Sequence, residues 1–538
     1  MMVRCVLLYL ALFSSAYAQG QENTITMIPY PDKVRVEKGS FRLAGTVTYA
    51  VEGEAKNETA HLVSLLEKLE LNVKSGSASA SDLLLKINST LCKNPEAYSL
   101  NINNQGIVIE AGANPGLFYG IQTLSQLIAN TTKDGNELNL PFVSIEDSPR
   151  FTWRAMVLDE ARTFHGKDVV KQLIDELAAL KINRLQWHLT DDQGWRIQIM
   201  KYPELVHINS PLTLSDDISL SANAQLKKGY YTQAEVREIV QYASERYITI
   251  IPEIEMPGHA SAAIATYPYL GVTKEKASIP VHEKPVKVTS IYPDIFDVTD
   301  TRTITFLHDV LDEVASLFNA EVIHIGGDEV NFSQWKESSA VLSFMKEKNL
   351  ASPAALQLWF TNKMSNYLLN KGIRMMGWND IMGQNLHHYE NTSTNDFKLN
   401  DELAKSTIVH FWKGDPALIA ETAKKGHDIV NAHHLFTYLD YTYEAIPLEK
   451  AYEFEPVPSD LPLKDQSKII GLSCQMWGGS VCTIESIEKL HRQIFPRIAA
   501  YAEVGWTKPM HKDFARFGSA LALLKQGWDE RNISYQEY

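Results

Sequence analysis

The spacing of hydrophobic positions along the chain changes near residue 150. Before that point, short β-like runs such as FRLAGTVTYAV, DLLLKIN and GIVIEAG alternate with NETAHLVSLLEKLEL and GLFYGIQTLSQLIA. In the latter two segments apolar residues recur every three or four positions, which predicts amphipathic helices. The pattern predicts a small α/β domain over residues 19–149. Asp147, Ser148 and Pro149 break the pattern before Trp153 and mark its end.

From residue 150 onward, eight short apolar or β-branched runs follow one another: RAMVLDEA, INRLQWHLT, YITIIPEIE, EVIHIGG, IRMMGWND, STIVHFW, HDIVNA and IIGLSCQMW. Helical segments such as DVVKQLIDELAAL and QAEVREIVQYASER lie between most of them. Eight β/α units in this order predict a (β/α)8 TIM barrel over residues 150–538. A doubly wound open sheet is the alternative, and it is weakened because no G-x-G-x-x-G follows the first run.

A barrel of this kind places its functional residues at the carboxyl ends of its strands. Polar and aromatic residues follow the eight predicted strands in turn: Arg162; His188, Asp191 and Asp192; Glu255 and His259; Asp328 and Glu329; Trp378; Trp412; Tyr438 and Asp440; and Trp477. A tryptophan at a strand end more often belongs to the core than to a ligand site. Packing alone does not explain eight strand ends in register, so the pattern predicts one concave site.

The stretch EVIHIGGDEVNF, Glu321 to Phe332, ends an apolar run in two glycines and the adjacent carboxylates Asp328 and Glu329. Two carboxyl groups so close, and partly removed from water, cannot both ionise at low cost. One of them therefore keeps a proton and can act as an acid near neutral pH. An acid beside an anion, with aromatic residues and an arginine nearby, suits glycosidic bond cleavage. The structural alternative is a helix N-terminus, where acidic residues are favourable.

A two-carboxylate glycosidase places its carboxyl groups on opposite sides of the scissile bond, about 5–5.5 Å apart if retaining and about 6.5–9.5 Å if inverting. Neighbours in sequence are not an obvious way to achieve that placement. If Asp328 and Glu329 do not flank the sugar, the nucleophile must come from elsewhere, and the substrate itself is one candidate.

The motifs HIGGDEV, LDEARTF, WHLTDDQGWR, EIEMPGH, GWND, YLD and QMWG, in their order here, resemble the β-N-acetylhexosaminidases of glycoside hydrolase family 20. The resemblance covers nearly all of the chain after the first 18 residues, including the accessory domain that precedes the barrel. It implies an exo-acting, retaining enzyme that removes terminal GlcNAc or GalNAc by substrate assistance. In that mechanism the 2-acetamido oxygen of the substrate attacks C1 and gives an oxazolinium intermediate.

The resemblance also implies roles for single residues. Glu329 would be the general acid and then the general base, and it would carry the proton. Asp328 would stay charged and hold the acetamido N–H, while Tyr438 would bind the acetamido oxygen. The remaining residues would wall the acetamido pocket (Trp378, Trp412, Trp477), bind ring hydroxyls (Arg162, Asp440), and support Glu329 and tune its pKa (Asp191, His259).

Two positions depart from the family pattern. Gly479 stands where the family usually has an acid that binds an outer hydroxyl, so recognition around O4 and O6 is in doubt. The missing side chain would leave room for a substituted or sulfated O6, or would weaken binding of one sugar epimer. Thr163 stands where His is common, and we expect little consequence.

Composition and charge narrow the possible partners and the cellular location of the protein. The net charge of -14, without a basic run, argues against a nucleic-acid partner. CVLLYLALF followed by SSAYA predicts a signal peptide over residues 1–18 and export, either periplasmic, secreted or lysosomal. The nine apolar residues of this segment are too few to span a bilayer, and no later segment is long and apolar enough to do so. No metal site or cofactor is predicted. Cys474 and Cys482 either pair or remain buried thiols, and a homodimer is left open.

Two other functions stay open. A two-carboxylate β-glycosidase could use the same barrel, and so could a carbohydrate-binding protein without activity. A binding protein has no need of a proton donor, which argues against the second. Glycosides with and without the 2-acetamido group distinguish the remaining possibilities.

Overall fold

The computed structural model describes residues 25–90, 94–131, 133–134, 137–209, 229–279, 293–383, 402–478 and 486–537. The predicted signal peptide, Gly479 and two of the cysteines, Cys92 and Cys482, lie outside these residues. Among the described residues, Cys474 is buried and forms no disulfide. No helix in the described parts of the chain is long and apolar enough to cross a membrane.

The N-terminal part forms one mixed sheet with two helices, Lys56–Glu67 and Asn114–Ala129. In spatial order its strands are Lys33–Ala44, Glu137–Asp147, Tyr98–Asn103, Gly106–Ala111, Leu83–Ile87, Thr46–Glu52 and Asn72–Ser75, with Lys133–Asp134 paired to Glu137–Asp147. The predicted run FRLAGTVTYAV is interrupted, because Gly45 adopts a φ of +64° between two strands.

Among the described residues, eight parallel strands close into a barrel, which confirms the predicted TIM fold. In chain order we label them β1 to β8: Trp153–Asp159, Arg184–His188, Thr249–Glu253, Val322–His324, Arg374–Trp378, Ile408–Phe411, Asp428–Asn431 and Ile469–Met476. Each predicted run overlaps one strand, and β1 begins one residue before its run. All seven residues of β1 are buried, as expected for a strand covered on both faces.

Helices surround the barrel: Lys167–Ala179, Gln233–Ser244, Ser261–Thr266, Thr301–Phe318, Ser333–Glu337, Ser339–Glu347, Pro353–Leu369, Ala417–Lys424, His434–Thr437, Leu448–Glu453, Leu463–Gln466, Ile487–Ile494, Arg497–Trp506 and Phe514–Glu530. Short 3-10 turns add Pro203–Asn209, Pro268–Leu270, Asn379–Met382 and Pro509–His511, and a small ribbon pairs Thr190–Asp191 with Gly194–Trp195. Helix Thr301–Phe318 buries Phe306, Leu307, Val310 and Leu311 at helical spacing.

The sheet packs on the barrel through a buried ion pair. Nζ of Lys181 lies 2.9 Å from Oδ2 of Asp147 and donates to the hydroxyl of Tyr98 at 2.8 Å. The indole of Trp506 donates to the other oxygen of Asp147 at 2.9 Å. In chain order, the last strand of the sheet ends at Asp147 and the first barrel strand, β1, begins at Trp153. The exact domain boundary at residue 149 stays a prediction.

Replacing Asp147 should destabilise the whole protein. The change Asp147→Asn leaves Lys181 buried without its counter-charge, so we expect the free energy of unfolding in urea to fall by roughly 3–5 kcal/mol. The matched control is Glu146→Gln at the preceding position. Glu146 pairs with Lys33, and these two side chains are 64% and 70% exposed. The control should leave the unfolding curve unchanged, and equal losses in the two variants would contradict the role given to the buried pair.

Candidate active site

A tight turn after β4 carries the two adjacent carboxylates. Gly326 and Gly327 have φ values of +64° and +92°, which other residues adopt only with strain. A Cβ on Gly326 would also lie 1.8 Å from Oε2 of Glu255. Both glycines are therefore required at this turn. Glu329 itself has a φ of +50°, and His259 has a φ of +49°, so the backbone is strained at both residues.

The polar half of the site is organised around Asp191, which is buried. Its Oδ2 lies 2.6 Å from Nη2 of Arg162 and 3.0 Å from Nε2 of His188. Its Oδ1 lies 3.3 Å from Nδ1 of His259. Burial opposes ionisation, but Arg162 and His259 outweigh it and hold the pKa of Asp191 well below its usual value. Asp191 is therefore a fixed anion that faces three cationic or basic groups.

His259 connects Asp191 to the adjacent carboxylates. Its Nε2 lies 3.7 Å from Oε2 of Glu329 and 4.0 Å from Oδ2 of Asp328. Burial lowers the pKa of His259, but Asp191 and then Asp192 raise it more, so that it stays well above the ordinary value. An imidazolium therefore faces both carboxylates from the same side.

Asp328 is the more buried of the two adjacent carboxyls. The burial of its carboxyl raises the pKa of Asp328 to about 7, with His259 opposing the rise and Glu329 adding to it. The side chain of Asp328 is 17% exposed, and that of Glu329 is 30% exposed. A pKa of Asp328 near neutrality agrees with the expectation that one carboxyl of the pair retains a proton, while the placement of the catalytic proton on Glu329 stays a prediction.

The aromatic half of the site contains the three predicted tryptophans. The ring centroid of Trp477 lies 5.8 Å from that of Trp378 and 6.2 Å from that of Tyr438. The ring of Trp412 is nearly parallel to that of Tyr438, at a centroid distance of 6.4 Å. The guanidinium of Arg162 lies 5.4 Å from the centre of the Trp477 ring and joins the two halves.

Asp440 completes the predicted set, since it is fully buried beside Tyr438. Burial, then the charges of Asp440 and Asp328, raise the pKa of Tyr438 well above its usual value, so its hydroxyl remains a donor. All ten predicted residues therefore converge on one end of the barrel. Their individual roles stay predictions at this point.

Asp192 and Glu253 are polar residues of the site that had no role assigned from the sequence: Asp192 was only placed at a strand end, and Glu253 was not singled out. Asp192 contacts Nδ1 of His259 at 3.1 Å and accepts from the hydroxyl of Ser261 at 2.6 Å. Glu253 accepts from the indole of Trp378 at 3.0 Å. The signal for Glu253 was a charged residue inside the apolar run YITIIPEIE, but only strand register shows which side chains it meets.

Three groups of described residues have ligand atoms within 4.8 Å of one another and could hold a metal ion: His188, Glu253 and Glu255; Asp191, Asp192 and His259; and His259, Asp328 and Glu329. Most of these groups already face one another as ion pairs. That no metal or cofactor takes part stays a prediction.

Comparisons with known proteins agree on one family. Residues 151–509 match the model "Glycosyl hydrolase family 20, catalytic domain", and residues 24–148 match the model of domain 2 of that family. A β-hexosaminidase of Porphyromonas gingivalis is 34% identical over 99% of this chain and 67% of its own length. A β-hexosaminidase of Vibrio furnissii is 31% identical over 90% of this chain and 76% of its own length.

Solved structures give the same result. The exo β-N-acetylglucosaminidase of Vibrio harveyi, solved in complex with N-acetylglucosamine, has a TM-score of 0.79 and 31% identity, covering 96% of this chain and 79% of that one. The β-N-acetylhexosaminidase of Bacteroides fragilis has a TM-score of 0.78 and 28% identity, covering 96% and 97%.

The raised pKa of Asp328 predicts a pH-dependent cost in stability. The folded protein holds this proton up to a pH of about 7, whereas the ordinary pKa is 3.8, so the free energy of unfolding falls as the pH rises between these values. Asp328→Asn removes that loss. We expect the variant to be more stable than the wild type at about pH 8, by up to about 4 kcal/mol, with the gain absent near pH 4. Thermal unfolding at both pH values measures it, and a difference that is independent of pH would contradict the assignment.

Proposed function

The chain belongs to glycosyl hydrolase family 20, and from this premise we infer that it is an exo-acting, retaining β-N-acetylhexosaminidase. It removes terminal, non-reducing GlcNAc or GalNAc from glycans and glycoconjugates by substrate-assisted catalysis. The observation that carries this conclusion is the pair Asp328 and Glu329, which approaches a single imidazole at the same end of the barrel as a cluster of aromatic rings, Trp378, Trp412, Tyr438 and Trp477.

The placement of the pair favours an internal nucleophile. Both carboxylates lie within 4.0 Å of Nε2 of His259, so they are grouped on one side instead of flanking a sugar ring. A two-carboxylate mechanism needs carboxyl groups on opposite sides of the bond. The acetamido group of the substrate supplies the nucleophile in this family, and indole faces next to the pair suit its methyl group.

In the first step, we propose that the acetamido oxygen attacks C1 while the bond from C1 to the leaving oxygen breaks. Glu329 donates its proton to the leaving oxygen, and an oxazolinium ion forms. Asp328 accepts a hydrogen bond from the acetamido N–H and stabilises the positive charge, for which it must be ionised. The hydroxyl of Tyr438 donates to the acetamido oxygen, and its raised pKa keeps that proton in place.

In the second step, water attacks C1 from the side that the leaving group vacated. Glu329 takes a proton from this water, the bond from C1 to the acetamido oxygen breaks, and the product keeps the β configuration. The imidazolium of His259 offsets the negative charge of Glu329 each time it releases its proton. Asp191 holds that imidazolium in place at 3.3 Å.

Arg162 and Asp440 are proposed to bind ring hydroxyls. The guanidinium of Arg162 is held by Asp159 at 2.9 Å and by Asp191 at 2.6 Å. These two ion pairs fix the plane of the guanidinium and therefore the direction of its remaining N–H groups. Burial lowers the pKa of Arg162, but Asp191 and Asp159 hold it well above the ordinary value. The arginine is thus a rigid, permanently charged donor beside Trp477.

We also propose that the protein is exported, and the support is the short apolar run before the small residues at Ala16 and Ala18. Protein recovered from its host should begin at Gln19. An N-terminus that retains the apolar run would refute this part of the proposal.

The substrate dependence tests the function directly. The p-nitrophenyl β-glycoside of N-acetylglucosamine should be hydrolysed, whereas the plain β-glucoside should not, because it lacks the acetamido nucleophile. Initial rates and the anomer formed first, followed by proton NMR, are the measurements. Hydrolysis of the glucoside but not of the acetamido sugar would identify a two-carboxylate enzyme. Hydrolysis of neither of these, nor of the N-acetylgalactosaminide, would favour a binding protein without activity.

Removing the proton donor should affect poor leaving groups most. We expect Glu329→Gln to lower kcat by about 10²–10⁴-fold on a disaccharide, since the leaving sugar then departs without a proton. The loss should be smaller on an aryl glycoside with an acidic phenol. Asp328→Asn should instead slow both substrates alike, because it displaces the acetamido group. Near-normal rates in either variant would mean that the roles are assigned wrongly.

A further inference from the structure

Glu253 is the last residue of β3 and is fully buried. In the barrel register it lies opposite His188 on β2 and His324 on β4. Register partners on neighbouring strands point to the same face of the sheet. The three side chains therefore form one layer of the barrel interior, directly below the site.

Both oxygens of Glu253 make contacts in this layer. Oε2 lies 3.0 Å from Nδ1 of His188 and accepts from Nε2 of Gln186 at 2.9 Å. Oε1 accepts from the indole of Trp378 at 3.0 Å and lies 3.1 Å from Nδ1 of His324. One carboxylate thus holds both a wall of the proposed acetamido pocket and an imidazole of the polar half.

The contact with His188 begins a continuous chain to the proposed acid. His188 lies 3.0 Å from Asp191 through Nε2, and Asp191 lies 3.3 Å from His259. His259 in turn lies 3.7 Å from Glu329. From Glu253 to Glu329, acids and bases alternate, and no other residue intervenes.

The charges along this chain are mutually dependent. Burial opposes ionisation of Glu253, but His324 and His188 hold its pKa well below the ordinary value. Burial would likewise lower the pKa of His188, but Glu253 and Asp191 raise it far above the ordinary value. The titratable and charged groups that face His188 are Glu253 and Glu255 from β3 and its loop, Asp191 from the loop after β2, and Asp159 at the end of β1.

We propose that Glu253 is a positioning residue that couples the proton-donor side of the site to the acetamido pocket. It keeps His188 protonated, so that Asp191 and His259 stay oriented toward Glu329, and it fixes the indole plane of Trp378. The proposal rests on the proposed function and assigns a role to a residue that touches no substrate atom.

The test is the pH profile of Glu253→Gln in the full-length protein. The amide oxygen can still accept the hydrogen bond from the indole of Trp378, but the substitution removes the negative charge that keeps His188 protonated. We expect kcat to fall about 10–100-fold. We also expect the alkaline limb of kcat/KM to move to lower pH by at least about one unit, because His188 then loses its proton at lower pH. A lower rate with the alkaline limb of the wild type would indicate a merely structural role and would overturn the proposal.

Two further variants sharpen this result. Glu253→Asp keeps the charge on a shorter side chain, so the alkaline limb should return toward that of the wild type even if kcat stays low. Glu160→Gln is the matched control. Glu160 is equally buried and lies 2.7 Å from Nδ1 of a different histidine, His165, but it belongs to no part of the chain to Glu329. The pH profile of Glu160→Gln should have the same alkaline limb as that of the wild type.

If Glu253→Gln does not fold, nitrogen NMR of the histidine-labelled wild type decides. The imidazole of His188, identified by the signal missing from His188→Gln, should remain protonated at about pH 7, above the ordinary value for histidine. A neutral imidazole at that pH would overturn the proposal. A wild type that cleaves no acetamido glycoside would refute the proposed function instead, so the two failures are distinguishable.

Discussion

Charge pairing in a water-poor region is the constraint on which this site depends. Asp191, Glu253 and Asp328 are largely removed from water at one end of the barrel, and an isolated buried carboxylate would be very unfavourable. Asp191 and Glu253 are kept ionised by arginine and imidazolium groups, whereas Asp328 has a cation only at 4.0 Å and retains a proton up to about neutral pH. Asp328 thus differs from Asp191 and Glu253 because nearby cations compensate its negative charge less completely.

The same end of the barrel holds strained backbone. Two glycines at positive φ turn the chain after β4, and Glu329 and His259 occupy the left-handed region without being glycine. Strain of this kind persists only where surrounding structure is rigid enough to impose it. Closed strand pairing supplies that rigidity, and the ion pair between Lys181 and Asp147 fixes the accessory sheet against the barrel. Fold stability and site geometry are therefore connected through the barrel.

Much of this was accessible from the sequence. Buried parallel strands are continuous apolar runs, so all eight were visible, and the carboxyl end of each strand is the position of its functional residue. The contacts between individual side chains could not be predicted from the sequence. Glu253, for example, contacts His188 and Trp378 only because of the register of β2, β3 and β5. The raised pKa of Asp328 could not be predicted either, since the burial of its carboxyl depends on a turn set by Gly326. The departure at Gly479 lies outside the described residues, and its effect on O4 and O6 stays a prediction.

The central claim is that the nucleophile is the acetamido oxygen of the substrate. Changing the electron density on that oxygen tests the claim most directly. The measurement is kcat/KM for p-nitrophenyl glucosaminides that carry N-acetyl, N-fluoroacetyl, N-difluoroacetyl and N-trifluoroacetyl groups. Each fluorine withdraws electrons from the carbonyl oxygen, so an attacking oxygen predicts a stepwise fall over orders of magnitude across the series. Rates that stay level along the series would show that the acyl oxygen does not attack C1, and would contradict the account.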